Sequence, residues 1–69
     1  MTANELLRRC GGSTETDWYR LSISQKAGCL ALAKQCRYRQ SPGAKAMGRS
    51  RAYSFYLSLQ RKAAREQDA

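Results

Sequence analysis

The apolar and polar positions near the amino terminus follow the pattern of a short helix. Thr2 and Glu5 have the spacing of a capping box, in which the two side chains satisfy backbone amides freed at the start of a helix. Gly11 and Gly12 follow, and glycine readily adopts the left-handed conformation that ends helices. We therefore predict a short N-terminal helix within residues 1–12.

The pattern of the next segment, residues 13–24, has more than one interpretation. The segment is polar up to Asp17, and then Tyr19, Leu21 and Ile23 alternate with polar residues, as in a half-buried strand. A helical stripe is also present and follows Trp18, Leu21, Gln25, Cys29, Leu32 and Cys36. A linker, a helix extension and a strand all remain open for this segment.

Two long helices are predicted for the rest of the chain. Ser22 and Gln25 form a second capping box, so a helix rich in Ala and Leu should cover residues 25–40. Pro42 suits the first position of a helix, where its missing N–H costs nothing, and a second helix should cover residues 42–66. The predicted fold is all-α and forms one domain: a hairpin of two long helices with a short N-terminal helix.

The apolar residues of the second helix recur at three- and four-residue spacing, which predicts a packing face. This face is wider than one partner helix can cover, and a chain of this size buries only about 60% of its unfolded surface. We therefore predict a homodimer in which two hairpins form a four-helix core. Its predicted core residues are Leu30, Leu32, Gly48, Ala52, Phe55, Tyr56 and Leu59.

The chain has three cysteines, Cys10, Cys29 and Cys36, and no histidine, so no zinc-ligand spacing is present. On one helix, Cys29 and Cys36 would lie about 10 Å apart along the axis, too far for a disulfide. We expect three structural free thiols, with Cys29 and Cys36 buried, and no metal and no cofactor. The odd cysteine count and the lack of a signal-peptide pattern favour the cytoplasm, and no stretch reaches the length of a membrane span.

Thirteen Lys and Arg residues against five Asp and Glu residues give a net charge of +8. Between Trp18 and Arg65 there are eleven basic residues and no acidic one. Such a block attracts polyanions, anionic membranes or acidic protein surfaces. The chain has no histidine, no carboxylate pair in this block, no glycine-rich phosphate loop and no nucleophile beside a base, so we predict no catalytic residues and no enzyme.

The turn between the two predicted helices combines aromatic, Met and Arg side chains. Tyr and Arg are enriched among the residues that dominate protein interfaces, and Met adapts to varied partner surfaces. We therefore predict that this turn binds a protein partner. The predicted partner-binding residues are Arg37, Tyr38, Arg39, Met47, Arg49 and Arg51.

The stretch CLALAKQCRYRQSPGAKAMGRSRAYSFYLSLQRKA, residues 29–63, resembles the small quorum-sensing anti-activator proteins encoded by Mu-like bacteriophages. The chain is also similar to them in length and in its lack of catalytic residues. The resemblance implies a dimer that inhibits a host LuxR-type transcription activator by binding its DNA-binding region. It also implies a possible second partner, the ATPase that drives pilus assembly.

The alternative is a ribbon-helix-helix transcriptional repressor, in which a paired strand enters the major groove of DNA. Residues 19–23 would form the ribbon, with Arg20, Ser22 and Ser24 as the base readers. The chain between this ribbon and Gly48 is too long to match that family, which counts against the alternative. Only under this alternative is nucleic acid a predicted partner.

Overall fold

Four α-helices and one turn of 3-10 helix form the chain in the computed structural model, which describes residues 2–68 and side chains as far as Gln67. No strand lies within those residues, so the predicted all-α class is confirmed. Helix α4 lies at the centre, packed by α1 and by α2. The elements are α1 (Ala3–Arg9), the 3-10 turn (Trp18–Arg20), α2 (Ile23–Gln35), α3 (Pro42–Ala46) and α4 (Arg51–Asp68).

Helix α1 begins and ends at the signals that the sequence carries. The Thr2 hydroxyl accepts a hydrogen bond from the Glu5 N–H at 3.2 Å. At the other end Gly11 has a φ of +77°, which a side chain would strain, and the Gly12 N–H donates to the Leu7 carbonyl at 2.9 Å. The helix therefore lies inside the predicted range of residues 1–12.

Residues 13–22 form neither a strand nor an extension of the helix, and α2 takes in only the last two residues of the segment 13–24. Trp18–Arg20 forms a single 3-10 turn, and the buried Leu21 that follows is extended. Helix α2 then begins at Ile23, because the Ser22 hydroxyl accepts from the Gln25 N–H at 3.1 Å while the Gln25 side chain accepts from the Ser22 N–H at 2.8 Å. This capping box leaves Ser22 outside the helix and excludes the strand interpretation.

Helix α2 ends at Gln35 and does not continue through residue 40 as predicted. Arg37 has a φ of +54°, a left-handed conformation that stops an α-helix. The Tyr38 N–H donates back to the Ala33 carbonyl at 2.9 Å and closes the end of the helix. Cys36 is exposed as a result, contrary to the expectation that it is buried.

The single helix predicted over residues 42–66 is in fact two helices. Gly48 has a φ of +77°, and its N–H donates to the Lys45 carbonyl at 3.1 Å, which ends α3. The Ser50 hydroxyl then accepts from the Tyr53 N–H at 3.1 Å and caps the start of α4. A glycine followed by a serine two positions later is itself a stop-and-start signal, and here it prevails over the continuous apolar periodicity.

The packing face of α4 is covered within one chain. Leu7 of α1 is buried at 1% exposure against the core, and Glu66 near the end of α4 accepts from the Ala3 N–H at 3.0 Å and from the Asn4 side chain at 3.3 Å. The N-terminal helix thus covers the face that was assigned to a second copy. Five of the predicted core residues are buried within the single chain: Leu32, Ala52, Phe55, Tyr56 and Leu59.

Two of the predicted core residues lie elsewhere. Leu30 is half-buried on α2, and Gly48 is exposed in the turn before α4. A Cβ built on Gly48 would meet no atom within 4 Å, so Gly48 does not belong to a close seam between helices. Because the chain turns at Gly48, Gly48 and the predicted core residue Ala52 do not lie on one continuous helix face.

Cys10 and Cys29 are buried together between α1, α2 and α4. The Cys29 thiol donates to the Ala52 carbonyl at 3.6 Å. The contact with Cys10 and the burial both raise the pKa of Cys29, so this thiol stays protonated. The pair is part of the core.

Replacing Gly48 by alanine should destabilise the chain by about 1 kcal/mol, because alanine is strained at this positive φ although it has space for its side chain. Gly28 is the matched control: it lies inside α2 with equally open surroundings, so Gly28→Ala should stabilise by about 0.5–1 kcal/mol. Chemical denaturation followed by circular dichroism measures both changes. A stabilised Gly48→Ala variant would mean that the chain does not turn here.

Candidate functional site

The tip surface, residues 37–51, connects α2 to α4 and contains all the predicted partner-binding residues. Its shape is fixed by contacts between its two ends. The Arg51 guanidinium donates two hydrogen bonds to the Tyr38 carbonyl, at 3.1 and 2.8 Å. These paired bonds hold the guanidinium of Arg51 in one orientation, which leaves its remaining N–H groups directed away from Tyr38.

Gln40 provides a second connection across the tip surface. Its side-chain amide donates to the Arg49 carbonyl at 2.6 Å, to the Ser50 carbonyl at 3.2 Å and to the Ser54 hydroxyl at 2.9 Å. The segment before α3 is therefore hydrogen-bonded to the start of α4. This part of the surface is preorganised, although it contains no long helix.

A cavity of about 400 Å³ opens on the tip surface and is lined by Arg39, Gln40, Lys45 and Arg51. Three of the four side chains are cationic. The sequence places no carboxylate between Trp18 and Arg65, so none of the neighbouring residues in the chain can neutralise them. Three cations around one cavity attract a carboxylate or another anionic group from a partner.

The predicted partner-binding residues occupy different positions on this surface. Met47 is 69% exposed, so its side chain is free to contact a partner. Tyr38 is half-buried and packs edge-on against Phe55, with ring centres 5.3 Å apart, so it belongs partly to the core. Arg49 lies over the ring of Tyr53, with its guanidinium carbon 5.7 Å from the ring centre. The exposed arginines are Arg37, Arg39, Arg49 and Arg51.

Gln40 is a site residue that the sequence did not single out. Its role depends on acceptors nine to fourteen residues later in the chain, which come within reach only because the chain turns at Gly48. Lys45 joins the cavity for the same reason, since the end of α3 folds back beside Arg39. Linear pattern alone gives no signal for Gln40.

The residues assigned to a DNA-reading ribbon do not form one. Arg20 lies in the 3-10 turn, Ser22 caps α2 and Ser24 lies inside α2. No strand is present anywhere in the described part of the chain, so the ribbon of a ribbon-helix-helix protein has no counterpart between residues 2 and 68. The structural basis of that alternative is therefore wrong.

The fold and the tip surface define a small, basic, all-α protein with a cationic cavity. Comparison with known proteins finds no match to a family model, to a curated protein or to a solved structure. Within residues 2–68, no helix combines the length and the apolar character needed to cross a membrane. Any statement of function therefore depends on the chemistry of the surface.

Proposed function

We propose that the chain is a regulatory protein without enzymatic activity, which acts by binding an acidic region of a protein partner at its tip surface. The cationic cavity lined by Arg39, Lys45 and Arg51 is the observation that carries this proposal. Met47 supplies an exposed apolar side chain in the same segment. An apolar anchor beside a charged rim is typical of protein interfaces.

The resemblance to the anti-activators of Mu-like bacteriophages supplies the partners of this proposal. The chain would act in the cytoplasm of a host bacterium and inhibit a LuxR-type quorum-sensing activator, with the cations of the tip surface pairing with acidic side chains within or beside its DNA-binding region. The pilus assembly ATPase would be a second partner.

Duplex DNA is the weaker candidate for the tip surface. The paired strand that would read base edges in the major groove is missing, and exposed Met47 offers nothing to a phosphate backbone. The basic side chains should give only weak duplex binding, without sequence preference and with strong salt dependence.

The proposal is tested by affinity capture from a nuclease-treated bacterial lysate, with the protein captured on the tagged chain identified by mass spectrometry. We expect each captured partner, the activator and any pilus assembly ATPase, to be lost with the double variant Arg39→Ala/Lys45→Ala. Arg8→Ala/Arg9→Ala removes the same charge from exposed positions on α1 and should leave capture intact. Equal capture by both double variants, or capture only without nuclease, would contradict the proposal.

A homodimer is also part of the proposal, on a different surface from the one that the sequence indicated. The predicted core is buried within one chain, whereas Ile23, at the start of α2, is 87% exposed and free to contact a second copy. Sedimentation at micromolar concentration should give twice the 7.8 kDa chain mass. Ile23→Glu should give a monomer with α2 intact, since an acidic residue is favourable at a helix start. A species of 7.8 kDa formed by the wild-type chain would contradict the proposed homodimer.

A further inference from the structure

A second surface, distinct from the cationic cavity, is formed by aromatic rings that meet between the 3-10 turn and α4. Trp18 lies 5.8 Å from Tyr53 and Tyr19 lies 6.2 Å from Tyr53, measured between ring centres. Tyr19 is 78% exposed, and Trp18 and Tyr53 are half-buried. We call these three residues the aromatic surface. Its inner side rests on Tyr56, whose ring centre is 5.8 Å from that of Trp18.

Two cations lie against the rings of the aromatic surface. The Lys26 ammonium is 5.5 Å from the centre of the Trp18 ring, and the Arg49 guanidinium carbon is 5.7 Å from the centre of the Tyr53 ring. Each pair brings a positive charge next to an aromatic ring. Arg20, which follows Tyr19 directly, is a third cation and is exposed. The nearest acids in the sequence, Glu15 and Asp17, precede the surface.

We propose that the aromatic surface binds single-stranded nucleic acid, with an unpaired base stacked on Tyr19 and backbone phosphates contacted by Lys26, Arg49 and Arg20. Base stacking needs an exposed ring, and Tyr19 provides one. Phosphate contacts need cations within reach of the same rings, and Lys26 and Arg49 provide them. This activity goes beyond the protein binding proposed for the tip surface.

The observations favour a single strand over the other polyanions that a +8 chain attracts. In a duplex the bases are already stacked on one another, so their faces are not free to pack on Tyr19. An acidic peptide would pair with the cations but would make no specific use of three clustered rings. Only an unpaired base uses both parts of the surface.

Trp18 is the one tryptophan in the chain, so its fluorescence reports directly on this surface. Titration with an oligodeoxythymidine of about 15 nucleotides at low salt should quench that fluorescence. A duplex of equal length should bind more weakly. Tyr19→Ala should weaken binding of the single strand about tenfold without unfolding the chain, because the side chain is 78% exposed. Lys26→Ala should reduce the slope of log affinity against log salt by about 0.7.

Arg8→Ala is the matched charge control, because it removes one exposed cation far in sequence from the rings. It should leave quenching and the salt slope nearly unchanged. The proposal is overturned if the oligonucleotide causes no quenching, or if Tyr19→Ala binds as tightly as Arg8→Ala. It is also overturned if polyglutamate produces the same quenching at the same charge concentration, since the surface would then recognise charge alone.

Discussion

The chain should lose its folded state when Tyr56 is replaced by alanine. Tyr56 is fully buried and is the largest such side chain in the described part of the protein. Its hydroxyl donates to the Thr16 carbonyl at 2.6 Å and accepts from the Ser13 N–H at 3.3 Å, which fastens the loop after α1 to α4. Burial raises the pKa of Tyr56, so the hydroxyl keeps the proton that it donates.

Tyr56→Ala should lower the free energy of unfolding by about 3–5 kcal/mol. The total free energy of unfolding of a chain this short is about 3–10 kcal/mol, so the two are comparable. Tyr19→Ala is the matched control, since it removes the same side chain from an exposed position and should change stability by less than about 0.5 kcal/mol. Tyr56→Phe removes only the hydroxyl and should cost about 1–2 kcal/mol. Urea denaturation measures all three. Equal stabilities for Tyr56→Ala and Tyr19→Ala would show that Tyr56 is not core.

The second large effect concerns the N-terminal helix. Leu7→Ala should destabilise the chain by about 2–5 kcal/mol, because Leu7 is 1% exposed in the core that α1 forms with α4. The neighbouring Leu6 is only half-buried, so Leu6→Ala should cost clearly less. Thermal unfolding followed by circular dichroism compares the two variants.

This comparison decides what covers the apolar face of α4. If Leu7→Ala and Leu6→Ala have the same small effect, α1 does not complete the core. The face would then need another covering element, as the sequence-based prediction of a four-helix dimer core supposed.

The starts of α1, α2 and α3 could be predicted because their signals are local. The hydroxyls of Thr2, Ser22 and Ser41 each accept from a backbone N–H three residues later. Such contacts join residues only three positions apart, so they can be recognised in the sequence. The same applies to Gly11, where the left-handed conformation is set by the local chain.

The break at Gly48 and the position of α1 were harder to predict. The apolar spacing on both sides of Gly48 fits one continuous helix. The spacing does not show whether the chain continues as a helix at Gly48 or turns there and forms two helices. The packing of Leu7 on α4 and the contact of Ala3 with Glu66 join residues more than forty positions apart. Periodicity shows that a face is apolar but does not show which element covers it.

The candidate site was partly visible in the sequence. The order of residues placed Arg39, Met47 and Arg51 on one turn, because they are close along the chain. The cavity itself depends on the Arg51 contact with the Tyr38 carbonyl and on Gln40, which are products of the folded backbone. The aromatic surface likewise needs Trp18 and Tyr53 to meet, although they are far apart in sequence.

The most direct test of the proposed binding at the tip surface is site-specific photo-crosslinking. A photoreactive amino acid placed at Met47, which is 69% exposed, should crosslink to one partner protein in living bacteria. The same amino acid at Ala64, an exposed position on α4, should give no such product. A partner crosslinked from Ala64 and not from Met47 would contradict the account, because the contact surface would then lie on α4 and not at the tip.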